Sequence, residues 1–117
     1  MNSDELKMRT KQFAHRCVKL ALALPKTTLG NHLSKQLIRS ATSVAANYRA
    51  ACIAQSKASF SSKLSIAFEE MDESYFWIEF IHDENLIEES RILALLDEAD
   101  QLTKIFAASR KTSTKKS

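Results

Sequence analysis

At 117 residues the chain has the length of one domain, enough to bury a single core and too short for two. One glycine and one proline argue against a many-stranded fold, because sheet turns draw on those two residue types. Seventeen Lys and Arg against fourteen Asp and Glu leave a formal net charge of +3, a small figure that conceals a steep gradient along the chain.

The first predicted helix covers residues 4–24, with Leu6, Phe13, Cys17, Leu20 and Leu24 recurring at helical spacing. Pro25 ends it, and residues 25–31, which hold the only proline and the only glycine, read as the best-marked turn. The second helix, residues 31–54, lines Leu33, Leu37, Ala41, Val44, Tyr48 and Ala51 along one face and sets Lys35, Arg39 and Arg49 on the other. Residues 55–59 interrupt the pattern weakly, with Ser56 or Ser59 as the N-cap of a third helix. That helix carries Phe60, Leu64, Ala67, Met71, Tyr75, Ile78 and Ile81 on one stripe and ends near residues 82–85. The fourth runs over residues 87–108 with Ile92, Leu95, Leu96, Ala99, Leu102 and Phe106 inward, and residues 110–117 are expected to trail off as a disordered basic tail. Four helices of similar length joined by short connections predict an all-α fold, an antiparallel up-down four-helix bundle over residues 1–109.

Two helices carry more apolar surface than one core uses. On the third, Ile66, Phe76, Trp77 and Phe80 project away from the main stripe; on the first, Ala14, Val18, Ala21 and Leu22 form a second patch. Either the bundle needs wide stripes because each helix touches two neighbours, or subunits meet there, since monomers rarely expose large apolar patches. The second alternative makes Val18, Leu22, Ile66, Phe76, Trp77 and Phe80 candidate oligomer-interface residues.

Charge divides the sequence more sharply still. Residues 1–63 hold eleven Lys and Arg against Asp4 and Glu5, a local net of +9; residues 64–109 hold Arg91 and Lys104 against twelve acids, a local net of −10; four further bases follow. Internal complementarity across the bundle would use this gradient without any partner. Alternatively, the basic face of one subunit meets the acidic face of the next, or a basic face left open attracts nucleic-acid phosphates. On the nucleic-acid reading the candidate residues are Lys35, Arg39, Arg49, Lys57, Arg110 and Lys111.

Nothing in the sequence assembles into a catalytic constellation. Glu79 and His82 match one Glu-x-x-His element of a di-iron bundle, but a second copy is missing and the first two helices supply no carboxylate after Glu5. A phosphate loop is ruled out by the single glycine, and no serine or cysteine sits in a nucleophile motif. Cys17 and Cys52 fall at helical core positions and read as small buried hydrophobes. No metal, cofactor or enzymatic activity is expected. The N-terminal residues are polar, and no apolar run approaches the roughly 18 residues of a membrane span, so a cytoplasmic protein without membrane contact is expected.

A polar seam accompanies the second helix: Gln36, Ser40, Ser43 and Asn47 recur beside its apolar face. It reads either as structural, with Gln36 and Asn47 bonding across the core to fix register, or as a recognition groove.

The segment 36–51, QLIRSATSVAANYRAA, together with Leu24-Pro25-Lys26, Lys63-Leu64-Ser65-Ile66 and Glu70-Met71-Asp72-Glu73-Ser74, resembles a bacterial four-helix-bundle family. Its members include proteins encoded by intervening sequences within 23S ribosomal RNA genes. The chain departs from many members at Ala51-Cys52-Ile53, where they carry a glycine-containing turn. The resemblance implies a homopentameric barrel. It also implies kinship with an accessory protein of diversity-generating retroelements, which partners a reverse transcriptase and binds nucleic acid. Arg39 and Arg49 match basic positions of the family, and Gln36, Ser43 and Asn47 match polar ones. The expectation is therefore a non-enzymatic homo-oligomer that binds RNA or DNA through a basic face, with a protein scaffold or adaptor as the alternative.

Overall fold

Asn2 starts the first helix. Its side-chain oxygen accepts the Glu5 amide N–H at 2.8 Å while its side-chain nitrogen donates to the Glu5 carboxylate at 3.0 Å, so the helix entry is satisfied reciprocally. The computed structural model describes residues 1–115, and over them the chain forms four α-helices and no strand. These are α1 (Ser3–Leu22), α2 (Thr28–Cys52), α3 (Lys57–Asp83) and α4 (Leu93–Lys115), the last preceded by a single 3-10 turn, Glu89–Arg91. Thr27 caps α2 by accepting the Gly30 N–H, and Ser56 rather than Ser59 caps α3, accepting the Ser59 N–H at 3.0 Å. The exit from α3 is a Schellman motif. Leu86 N–H donates to the Ile81 carbonyl at 3.4 Å and Asn85 N–H to the His82 carbonyl at 3.1 Å, with Asn85 left-handed at φ 55°.

The helices form an antiparallel four-helix bundle measuring 45 × 21 × 20 Å. A 27-residue helix such as α3 is about 40 Å long, so the helices run nearly the length of the rod. Each packs chiefly on its neighbour in sequence; α1 and α4, the first and last helices, touch much less than the helices that follow one another. Phe13, Cys17, Leu33, Leu37, Val44, Leu64, Met71, Ile78, Ile92, Leu102 and Phe106 belong to one continuous core cluster. No helix among the described residues is long and apolar enough to cross a membrane.

Several boundaries and faces differ from expectation. Gly30 lies inside the first turn of α2 rather than in the turn before it, buried against the Pro25 carbonyl. The fourth helix starts at Leu93, not Ile87, because Leu86 and Ile87 pack against the core as the chain crosses from α3. It also continues past Ala108: the segment 110–117, expected to be disordered, is helical through Lys115, and its last two residues lie outside the described residues. No glycine or proline interrupts that stretch, and cations in a last turn suit the helix dipole. The Arg110 guanidinium also lies 5.3 Å from the centre of the Phe68 ring. Phe60, expected in the core, is partly exposed, whereas Ala14 and Ala21 from the supposed second patch are buried.

Candidate nucleic-acid interface

Basic residues of the first two helices have two fates. Some are spent within the bundle. Arg39, expected to face outward, reaches across from α2 to α3, where Glu70 accepts at 3.0 Å and Glu73 completes the pair; Trp77 Nε1 also donates to Glu73 at 3.0 Å. Arg9 reaches from α1 to α4, donating to both oxygens of Glu98 at 2.8 Å and to Gln101 at 2.6 Å. That bidentate geometry is the strong form of an ion pair, and the bond to Glu98 holds Arg9 above its ordinary pKa. Lys7 pairs with Asp4 within α1 at 3.5 Å, whereas Lys11, Arg16, Lys19, Lys26, Lys35 and Arg49 are all exposed and have no carboxylate partner among the described residues. Internal complementarity thus accounts for only part of the basic half.

The six candidate nucleic-acid contacts do not form one surface. Arg49 closes α2, Lys57 opens α3, and Arg110 and Lys111 lie in the last turns of α4. All four gather at one end of the rod, where Phe60 and Leu64 share a groove with Ala108, Ser109, Thr112 and Ser113. Lys35 and Arg39 sit further along α2, toward the opposite end.

A second basic site escaped the sequence. Arg16 and Lys19 of α1 and Arg91 of the 3-10 turn line one cleft of about 310 Å³, floored by Leu20, Ala94 and Leu95. Arg91 lies in the acidic half of the chain, which masked it. No spacing in the sequence reveals it, because the alignment of α1 with α4 becomes known only from the Arg9–Glu98 pair.

The polar seam is held together locally. Asn47 donates to the carbonyl and hydroxyl of Ser43, both at 2.9 Å, within its own helix and not across the core as expected. The link between helices is instead made by Ser40, whose fully buried hydroxyl lies 2.9 Å from that of Ser74 on α3. Ser74 in turn sits 2.8 Å from the Glu70 carbonyl, and Gln36 is half-buried one turn ahead of Ser40. Small side chains here let α2 and α3 approach closely while satisfying both hydroxyls. Ser40→Ala is expected to cost about 1 kcal/mol, since Ser74 keeps its carbonyl partner. A urea midpoint that does not move would show that the pair contributes nothing to holding α2 against α3.

The candidate interface residues divide in a similar way. Trp77 and Phe80 are half-buried and pack against the core, and Val18 is half-buried. Leu22 is 63% exposed, Phe76 51% and Ile66 37%. Phe76, Trp77 and Phe80 form an aromatic cluster with centroid separations of 5.0 to 6.5 Å, and His32 meets Trp77 edge-on at 5.8 Å. Leu22 lies on α1 and Phe76 on α3, helices that each pack against α2 and α4 and so lie diagonally across the bundle. Cys17 is buried, which pushes its thiol far above the usual range, and Cys52 is half-buried beside Tyr48.

A sequence profile of the family described as 23S rRNA-intervening sequence protein matches residues 4–108. Among solved structures, the chain is similar to a protein of unknown function from the S23 ribosomal protein family of Bacteroides thetaiotaomicron. The two share 32% identity over 95% of this chain and 99% of that one, with a TM-score of 0.84. No curated protein matches the chain.

Proposed function

The chain belongs to the 23S rRNA-intervening sequence protein family, and on that premise we propose that it is a non-enzymatic, homo-oligomeric cytoplasmic protein that binds RNA or DNA through the basic residues left unpaired by its own fold. The observation that carries this reading is the set of exposed cations, Lys11, Arg16, Lys19, Lys26, Lys35 and Arg49, with no carboxylate partner among the described residues. Such cations gain free energy on meeting phosphates because they release condensed counterions. Arg49, exposed in the last turn of α2, supplies one contact at its end of the rod. Arg39 is better assigned to holding α2 on α3. A nucleic-acid-processing enzyme, as the family resemblance suggests, is the class of protein partner such a factor would assist.

The test is binding to a structured RNA across salt. With about five phosphates neutralised, affinity should fall on the order of 10²- to 10³-fold between about 50 and about 200 mM salt. Arg49→Glu should weaken binding while leaving the helices intact by circular dichroism. Affinity that is absent, or indifferent to salt, would remove the electrostatic reading.

Assembly is supported separately by the exposed Leu22 and Phe76 on diagonally opposite helices. Patches on opposite sides suit a head-to-tail contact, which closes into a ring when the rotation allows, five-fold in the family's manner. Cations around Leu22 and carboxylates around Phe76 add charge complementarity. In the alternative reading, a protein scaffold or adaptor, this contact would be the whole purpose of the charge gradient. Light scattering that finds a monomer at every concentration would refute the ring.

A further inference from the structure

The α1–α4 seam is closed at one point and open at another. Arg9 and Glu98 face each other across it in antiparallel register, fixed by two bonds of 2.8 Å. Seven residues forward on α1 and seven back along the chain from Glu98, in the 3-10 turn before α4, Arg16 and Arg91 line the same cleft. There, where the clasp has a carboxylate, the seam has a second arginine. Lys19 joins them as the third cation of the 310 Å³ cleft. None of the three has a carboxylate partner among the described residues; the first turn of α4 holds no acid, Glu98 is engaged by Arg9, and Glu89 faces His82. Like charges placed face to face are unfavourable unless an anion lies between them.

We propose that this cleft binds a nucleoside phosphate, with Arg16, Lys19 and Arg91 on the phosphate and the nucleoside on the apolar floor of Leu20, Ala94 and Leu95. Guanidinium groups match phosphate oxygens bidentately and also stack on flat rings, so two arginines suit both parts of such a ligand. The volume lies at the lower end of the usual range for small-molecule sites, about 300–1,000 Å³, which fits one nucleotide. A bare inorganic anion would leave the aliphatic floor uncovered. A helical acidic peptide would need a long groove, and the Arg9 clasp crosses the seam only about 10 Å further along the helix. The nucleoside phosphate can come from a free nucleotide or from the end of a strand. In the second case the inference deepens the nucleic-acid reading above; in the first it stands apart from it.

The experiment is calorimetric titration of the full chain with adenosine 5′-monophosphate, adenosine and inorganic phosphate. Arg16→Gln, Arg91→Gln and Lys104→Gln are compared, the last at a lysine of α4 paired with Asp100, and folding is checked by circular dichroism. The monophosphate is expected to bind more tightly than inorganic phosphate, and adenosine not measurably. Arg16→Gln and Arg91→Gln should each weaken the monophosphate at least tenfold, and Lys104→Gln should leave it unchanged. Competition with a short single-stranded RNA, with and without a 5′-phosphate, identifies the source. Displacement by the phosphorylated strand alone assigns the cleft to strand ends, and displacement by neither assigns it to free nucleotide. No binding of the monophosphate, or binding untouched by both cleft substitutions, overturns the proposal, as does an acidic peptide that binds where the nucleotide does not. Salt-sensitive RNA binding without monophosphate binding removes the cleft and leaves the wider function standing. Monophosphate binding without RNA binding does the reverse.

Discussion

Replacing Gly30 with alanine is expected to destabilise the chain by about 1–3 kcal/mol, the usual range for an overpacked site. In a chain of this length that corresponds to a melting temperature lower by roughly 4–12 °C. Alanine inside a helix ordinarily gains about 1 kcal/mol over glycine, so the sign of the effect is diagnostic. The reason for the reversal is the connection between α1 and α2. A Cβ at Gly30 would fall well inside contact distance of the Pro25 carbonyl oxygen and 3.0 Å from its carbon, and both are backbone atoms that cannot rotate away. Relief requires the 25–27 segment to move, which loosens the Thr27 cap that accepts the Gly30 N–H at 3.0 Å. A melting temperature that rises would show that the chain does not pass this close to the start of α2.

Phe106→Ala is expected to cost more, about 3–5 kcal/mol, because a fully buried aromatic ring is lost and its neighbours cannot collapse into the space. Phe106 meets Tyr48 edge-on at 5.6 Å, joining α4 to α2 across the middle of the bundle rather than to a helix adjacent in sequence. Against a total stability of roughly 5–15 kcal/mol, such a loss leaves little margin. The measurement is a guanidinium unfolding midpoint with the slope unchanged. A cost below about 1 kcal/mol would mean that the ring is not where the core needs it.

Both sites bear on what was legible in the sequence. Phe106 was readable, as were Phe13, Leu37, Val44, Leu64, Met71 and Ile78, because burial along one helix follows a repeat that the chain displays directly. Gly30 was misplaced because glycine marks a turn in most contexts, and only the approach of Pro25 from the connection before α2 reveals its real role. Arg39 looked like an outward cation for a related reason: its face on α2 was correctly polar, but the carboxylates opposite belong to α3. Interhelical register is a relation between segments, and no periodicity within a segment encodes it. The cleft at Arg16, Lys19 and Arg91 was hidden in the same way, since summing charge along the chain placed Arg91 among acids that it does not face. The fold follows from patterns within helices, whereas the candidate sites follow from how the helices are aligned.

Because α1 packs on α2, α2 on α3 and α3 on α4, most tertiary contacts join segments connected by only a few residues. Closing short loops costs little chain entropy, and a topology of this kind folds quickly, each helix docking on the one before it. The exception is the α1–α4 seam, whose Arg9–Glu98 bond brings together residues 89 positions apart. That long closure comes with far less contact than joins the successive helices, and with three cations around the cleft at its far end. The two terminal helices are therefore the elements that can detach at least cost to the rest, and an anion held between α1 and the start of α4 would also act as a latch on the native state.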